Sequence, residues 1–185
     1  MKQTHQNLLK AIAGESMARN KYTYFAEIAA KEELMWIAKV FEETADNERA
    51  HAQEELEMLK EKTEMTNTYD IHPLGNTLEN LKHAMAGEEF EFGIMYPNFE
   101  KTAREEGEEE IATLFKEISE VEEKHAERYN LLKDRLEKGI LFKAEEEIEW
   151  KCLNCGYIHK GTSAPQKCPL CKKPQGYYMA LKMVR

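Results

Sequence analysis

Glu48-Arg49-Ala50-His51 and Glu122-Glu123-Lys124-His125 decide how this chain is read. Each places a carboxylate and an imidazole three residues apart, on one face of a helix. The two stretches lie 74 residues apart, and the sequence around them repeats at that offset. Tyr22 matches Tyr96, Phe25 matches Phe99, Ala29 matches Ala103, Ile37 matches Ile111 and Phe41 matches Phe115. Gly14-Glu15 precedes the first stretch and Gly87-Glu88 the second. A helix pair therefore occurs twice, and two such pairs facing each other form a four-helix bundle. One Glu from each of two helices, with Glu-x-x-His from each of the other two, is the donor set of a carboxylate-bridged di-metal site.

Around these stretches the periodicity predicts four helices. The first runs from 5 to about 30, and Lys31-Glu32-Glu33 is a short break. The second runs to about 64, with Leu34, Ile37, Phe41, Thr44, Glu48, His51, Glu55 and Met58 along one seam. Met65 to Asn76 is rich in turn and breaker residues and reads as a long crossover. A third helix spans about 77 to 105, with Pro97 expected to kink it or change its register. The fourth has the cleanest seam: Ile111, Phe115, Ile118, Glu122, His125, Tyr129, Leu132 and Leu136. Gly139 ends it. A bundle with one long crossover is the ferritin-like arrangement. The repeat slips once, because Ala13-Gly14-Glu15 matches Ala86-Gly87-Glu88 at an offset of 73. One extra residue between Glu88 and Tyr96 predicts a π-bulge near Glu91.

Composition narrows the function classes. Of the 185 residues 33% are charged, and the net charge is -9. An acidic chain without clustered Lys and Arg is a poor nucleic-acid surface. No apolar run approaches the ~18 residues of a membrane span. The first six residues lead straight into an amphipathic pattern with no signal-like apolar stretch. A cytoplasmic protein is expected, contacting neither nucleic acid nor membrane.

The metal reading competes with a salt-bridged core. Glu is so common here that about one Glu-x-x-His arises by chance among six His. Two copies on core seams at matched repeat positions are a far more specific signal. Glu15, Glu48, Glu88, Glu91 and Glu122 would bring about five negative charges into the bundle interior, a conflict that two divalent cations remove. Carboxylates with neutral imidazoles suit iron or manganese. Tyr22 and Tyr96 lie one or two turns from these residues, either as partners of the ligand carboxylates or as core.

All four cysteines fall in the tail, as Cys152-x-x-Cys155 and Cys168-x-x-Cys171. Two such knuckles close a tetrahedral four-sulfur site for zinc or iron. The aromatic neighbours Trp150, Tyr157, Tyr177 and Tyr178 favour iron. The expected organisation is a bundle over 1–138, a linker over 139–149 and a small metal domain over 150–185.

With these motifs in place, the chain resembles a rubrerythrin: a ferritin-like di-iron bundle followed by a rubredoxin-like FeS4 domain. The resemblance rests on Gly14-Glu15-Ser16-x-Ala18-Arg19-Asn20, Glu48-x-x-His51, Gly87-Glu88-x-x-Glu91, Glu122-x-x-His125 and Cys-Pro-x-Cys, in the family's order. It implies that Glu15, Glu48, His51, Glu88, Glu91, Glu122 and His125 hold two irons. Cys152, Cys155, Cys168 and Cys171 would hold a third. Glu91 would be the family's additional carboxylate, changing its coordination with redox state. The implied activity is reduction of hydrogen peroxide to water, with Glu91, Tyr22 and Tyr96 as catalytic candidates. Electrons would come from a rubredoxin or an NAD(P)H-dependent reductase, and a head-to-tail homodimer or larger assembly is expected. A ferroxidase or iron-handling protein, and a non-enzymatic binding module with a zinc tail, are the competing readings.

Overall fold

The computed structural model describes residues 2–60 and 62–182. Met1 and 183–185, at the ends of the expected bundle and tail, and Glu61, in the expected second helix, lie outside the described residues. The elements run α1 (Gln3–Lys31), α2 (Met35–Glu57), α3 (Thr77–Phe90), a π-helical turn (Glu91–Met95), α4 (Tyr96–Glu105) and α5 (Glu109–Glu137). Strands β1 (Lys143–Cys152), β2 (Ile158–Ser163) and β3 (Tyr178–Ala180) follow. Helices α1 and α2 form one hairpin. The continuous α3–π–α4 rod forms the other with α5.

The repeat extends to the backbone of the two hairpin turns. Leu34 N–H bonds Ala29 O at 2.8 Å, and Glu108 N–H bonds Ala103 O at 2.8 Å. Each turn needs one left-handed residue, Gly107 (φ 74°) in the second and Glu33 (φ 59°) in the first. The cores repeat too. Tyr22, Phe25 and Phe41 pack with Tyr129 at centroid distances of 5.1–6.1 Å. Tyr96, Phe99 and Phe115 form the matching cluster in the other half.

The π turn lies where the one-residue slip of the repeat predicts it. Tyr96 N–H bonds Glu91 O, five residues back. The next bond in that register would need an N–H from Pro97, which has none. Phe92 O is thereby released, and it accepts the Ser119 hydroxyl at 3.2 Å. Pro97 thus falls where the helix changes register.

Two expectations are corrected. The second helix ends at Glu57 rather than about 64. Beyond Leu59, which still packs on the second core cluster, the sequence (Lys60, Lys62, Thr63, Glu64) offers no apolar rung before Met65, so extending the helix would bury little. The crossover is therefore longer than expected. It closes on a capping box at the start of α3, where Asn76 and Glu79 exchange side-chain-to-backbone bonds. The second correction concerns 139–149. Lys143–Glu149 belongs to β1, the central strand of the sheet β2-β1-β3.

The tail packs on its own bundle. Trp150, Cys152, Cys168 and Tyr178 share one buried cluster with Trp36, Phe41 and Leu132. Gly176 meets the α1–α2 turn so closely that a Cβ there would overlap the Glu33 carbonyl oxygen. Gly176→Ala should therefore displace the tail at a cost of about 1–3 kcal/mol. The expected outcome is a melting point lower by roughly 2–10 °C and faster proteolysis between α5 and β1. Unchanged protection would show that the contact does not hold the tail.

Candidate metal centre

Four helices deliver the chemistry to one layer of the bundle. Glu15 comes from α1, Glu48 and His51 from α2, Glu88 from α3, and Glu122 and His125 from α5. Their donor atoms fall into two sets, Glu15, Glu48, His51, Glu122 and Glu48, Glu88, Glu122, His125. Within each set the atoms lie within 4.8 Å of one another. Glu48 and Glu122 belong to both, as bridging carboxylates must.

His51 Nδ1 faces Glu122 Oε1 at 2.9 Å, Glu48 Oε2 at 3.0 Å and Glu15 Oε2 at 3.6 Å. His125 Nδ1 faces Glu122 Oε2 at 2.6 Å, Glu48 Oε1 at 3.3 Å and Glu88 Oε2 at 4.0 Å. One ring nitrogen carries at most one proton, so it cannot serve three carboxylates. Glu15 Oε2, Glu48 Oε1, Glu88 Oε2 and Glu122 Oε1 are buried without a satisfied hydrogen bond. Two divalent cations at these positions would satisfy all of them, so the residues fit a carboxylate-bridged di-iron centre. Asn47 Oδ1 lies 3.3 Å from His125 Nε2 and can accept its proton, which suits a ring that offers Nδ1 to a metal.

The electrostatics report the same crowding. Burial pushes Glu15 up to about 7, against the pull of His51. Burial and the charges of Glu48 and Glu122 hold Glu88 well above the carboxylate range. Burial would depress His125, but its bonds to Glu122 and Glu48 raise it to about 9. Such a site in the absence of cations is a store of unfavourable charge.

The other predicted residues are placed as follows. Tyr22 donates to Glu88 Oε1 and Tyr96 to Glu15 Oε1, so each tyrosine orients one terminal carboxylate. Glu91 opens the π turn and belongs to neither donor set. Burial and the charges of Glu15, Glu122 and Glu48 hold its carboxyl well above the usual range, which puts it beside the centre. The sequence reading does not include Asn47, and it places Glu55 on the α2 seam without a role. Asn47 immediately precedes Glu48. Glu55 is fully buried and lies 3.1 Å from the Tyr96 hydroxyl. Its signal is an acidic residue one turn beyond His51 on the α2 seam, at the position that matches Tyr129 in the repeat.

The cysteines form the second site. Cys152 and Cys171 Sγ lie 3.7 Å apart, as do those of Cys155 and Cys168. A tetrahedron with metal–sulfur bonds of about 2.3 Å has edges of about 3.7 Å. The two knuckles close alike. Gly156 N–H bonds Cys152 O and Lys172 N–H bonds Cys168 O, with Gly156 and Lys172 left-handed. Burial opposes the thiolate at Cys168, but the N–H groups of Cys171 and Leu170 and the Tyr178 hydroxyl bring it down to about 6. Trp150 and Tyr178 are buried beside the sulfurs.

Fold and sites together define a ferritin-like di-iron helical bundle carrying a rubredoxin-like FeS4 site. Known proteins agree. The rubrerythrin family model matches residues 6–133, and the model of the rubrerythrin rubredoxin-like domain matches 150–179. The chain belongs to the rubrerythrin family. It is 44% identical to the rubrerythrin of Porphyromonas gingivalis, over 97% of this chain and 90% of that one. It is 41% identical to the rubrerythrin of Nitratidesulfovibrio vulgaris, over 96% and 94%. The fold is similar to a nigerythrin in its mixed-valence state, with a TM-score of 0.66 and 33% identity over 96% of this chain and 86% of that one. No helix among the described residues is long and apolar enough to cross a membrane.

Proposed function

We propose that this chain is a non-haem peroxidase that reduces hydrogen peroxide to water, drawing its electrons through the FeS4 site. The observation that carries this reading is one chain joining a four-thiolate site to a di-metal bundle through a shared buried core. An iron-storage bundle has no need of such a relay. When bound, the iron pair supplies the two electrons that cleave the O–O bond. Glu15, Glu48, His51, Glu88, Glu122 and His125 would hold it, and Cys152, Cys155, Cys168 and Cys171 would hold the third iron. Tyr22 and Tyr96 keep Glu88 and Glu15 aimed at it. The two aromatic clusters flank the site. Glu91 is the additional carboxylate. Its raised proton affinity lets its carboxyl pick up a proton and deliver it to a departing oxygen. Solved nigerythrin structures include mixed-valence and all-ferrous states, which supports redox cycling of such a centre.

The tail sits at the α1–α2 turn. Glu48 lies 14 residues along α2 from Leu34, about 20 Å at 1.5 Å per residue. With that separation inside one chain, we take the electrons of the tail to enter the bundle of a second copy, in a head-to-tail dimer of a cytoplasmic protein. The outside donor is a reduced rubredoxin or an NAD(P)H-dependent reductase.

The test is the visible spectrum of the natively loaded protein. A red protein that bleaches with anaerobic dithionite and recolours with one equivalent of hydrogen peroxide is expected, sedimenting as a dimer or larger. A colourless protein would transfer the reading to iron handling or to a binding role. A monomer with full donor-linked turnover would rule out the head-to-tail arrangement.

A further inference from the structure

A carboxyl outside both donor sets is wired to one of them. Glu55 Oε1 lies 3.1 Å from the Tyr96 hydroxyl, its Oε2 has no partner, and the residue is fully buried. Tyr96 has a single hydroxyl proton but two carboxylate oxygens in donating reach, Glu15 Oε1 and Glu55 Oε1, and it can serve only one of them at a time. Glu15 turns its other oxygen to the metal position, so it is an acceptor here. With that proton directed to Glu15, none remains for Glu55. An ionised Glu55 would set a bare carboxylate against the phenolic lone pairs in a dry interior. The contact is favourable when Glu55 brings the proton and Tyr96 accepts it.

We propose that Glu55 is a protonated carboxylic acid that stores a proton for the metal centre and passes it through Tyr96 to Glu15. The transfer is a concerted shift. The Glu55 proton moves to Tyr96 Oη while the Tyr96 proton moves to Glu15 Oε1. One proton crosses, no electron moves, Tyr96 ends neutral and Glu55 ends as a carboxylate. The role rests on the peroxidase reading, in which one peroxide and two electrons need two protons to give two waters. This path supplies one of those protons. Glu55 acts through Tyr96 and is therefore a positioning residue.

Two independent observations agree. Burial and the charge of Glu15 push the Glu55 carboxyl well above the usual range, against the Tyr96 bond and the charge of His51, while Glu91 adds to the push. The repeat is broken at this position as well. Glu55 matches Tyr129, so the Tyr22–Glu88 pair has a phenol ring 5.5 Å away where the Tyr96–Glu15 pair has an acid. The proton store therefore serves only the half of the centre that holds Glu15 and His51.

Infrared difference spectra of the full iron-loaded chain test this, taken on peroxide addition to the reduced protein in H2O and D2O. The expected result is a protonated-carboxyl C=O band that shifts in D2O, weakens after peroxide and is absent from Glu55→Gln. Peroxide should reoxidise reduced Glu55→Gln about tenfold more slowly at unchanged iron content. A peroxide-sensitive band of undiminished intensity in Glu55→Gln, or an unchanged rate once the band is lost, would overturn the proposal. The band without any reoxidation of wild-type protein would sink the peroxidase reading yet establish the protonated Glu55. Fast reoxidation with no band would do the reverse.

Discussion

Glu88→Gln should have opposite effects on the metal-free and the iron-loaded protein. Glu88 is fully buried, and its Oε2 has no donor. Burial first, then the charges of Glu48, Glu122 and Glu91, hold its proton affinity well above the usual range. Without metal, glutamine keeps the acceptor for Tyr22 and removes a charge that the interior does not tolerate. The metal-free variant should be more stable than wild type by about 1–2 kcal/mol at pH 8, or roughly 2–8 °C in melting point. With metal, a donor to the His125-side position is lost, and the bundle should retain less than half its iron. Calorimetry with and without chelator, alongside iron analysis, decides the matter. A metal-free variant that melts well below wild type would mean that ion pairing alone holds this core.

The same groups fix the sign of the pH dependence. Glu15 rises from 4.5 to about 7 and His125 from 6.5 to about 9 on folding. In both, the folded state binds the proton more tightly than the unfolded state. Their stabilisation is complete below the unfolded values and is lost as pH rises through the folded ones. The metal-free bundle should therefore weaken steadily between about pH 4.5 and 9, by roughly 3 kcal/mol for each group. The loaded protein should respond in the opposite sense at the acid end, because protonating the ligands expels the metal.

Cys168→Ala is expected to separate the two halves of the proposed function. The tail is too small to fold on its apolar core alone, and its sheet closes around the four sulfurs. Loss of one thiolate from a buried site should release the third iron and disorder the knuckles, since such metal binding is folding free energy. Peroxide turnover with a rubredoxin-type donor should fall by at least a hundredfold. Oxidation of added Fe(II) at the bundle should stay within about twofold. A variant that loses its red colour yet keeps donor-linked turnover would show that electrons enter the bundle directly.

Much of this molecule was legible from spacing. Glu48 with His51, and Glu122 with His125, share a helix face because the helical period is a property of the local chain. The slip from 74 to 73 announced the π turn for the same reason, since one inserted residue must change the hydrogen-bond register. The two Cys-x-x-Cys knuckles closed as their spacing required. The end of α2, the place of β1 and the seat of Gly176 on Glu33 were not legible. Each depends on what lies opposite in space, and no local period records that.

Among the carboxylates the division is sharpest. Glu48, Glu55 and Glu122 look alike on their seams, each replacing an apolar rung. The sequence by itself determined that acids face the core and that paired helices bring them together. Only the tertiary structure decided their roles, through the partner each one meets. Glu48 and Glu122 meet two imidazoles. Glu55 meets a tyrosine that it shares with Glu15, one hydroxyl proton between two carboxyls. A buried carboxyl takes its charge from its neighbours, and those neighbours come from helices remote in the chain.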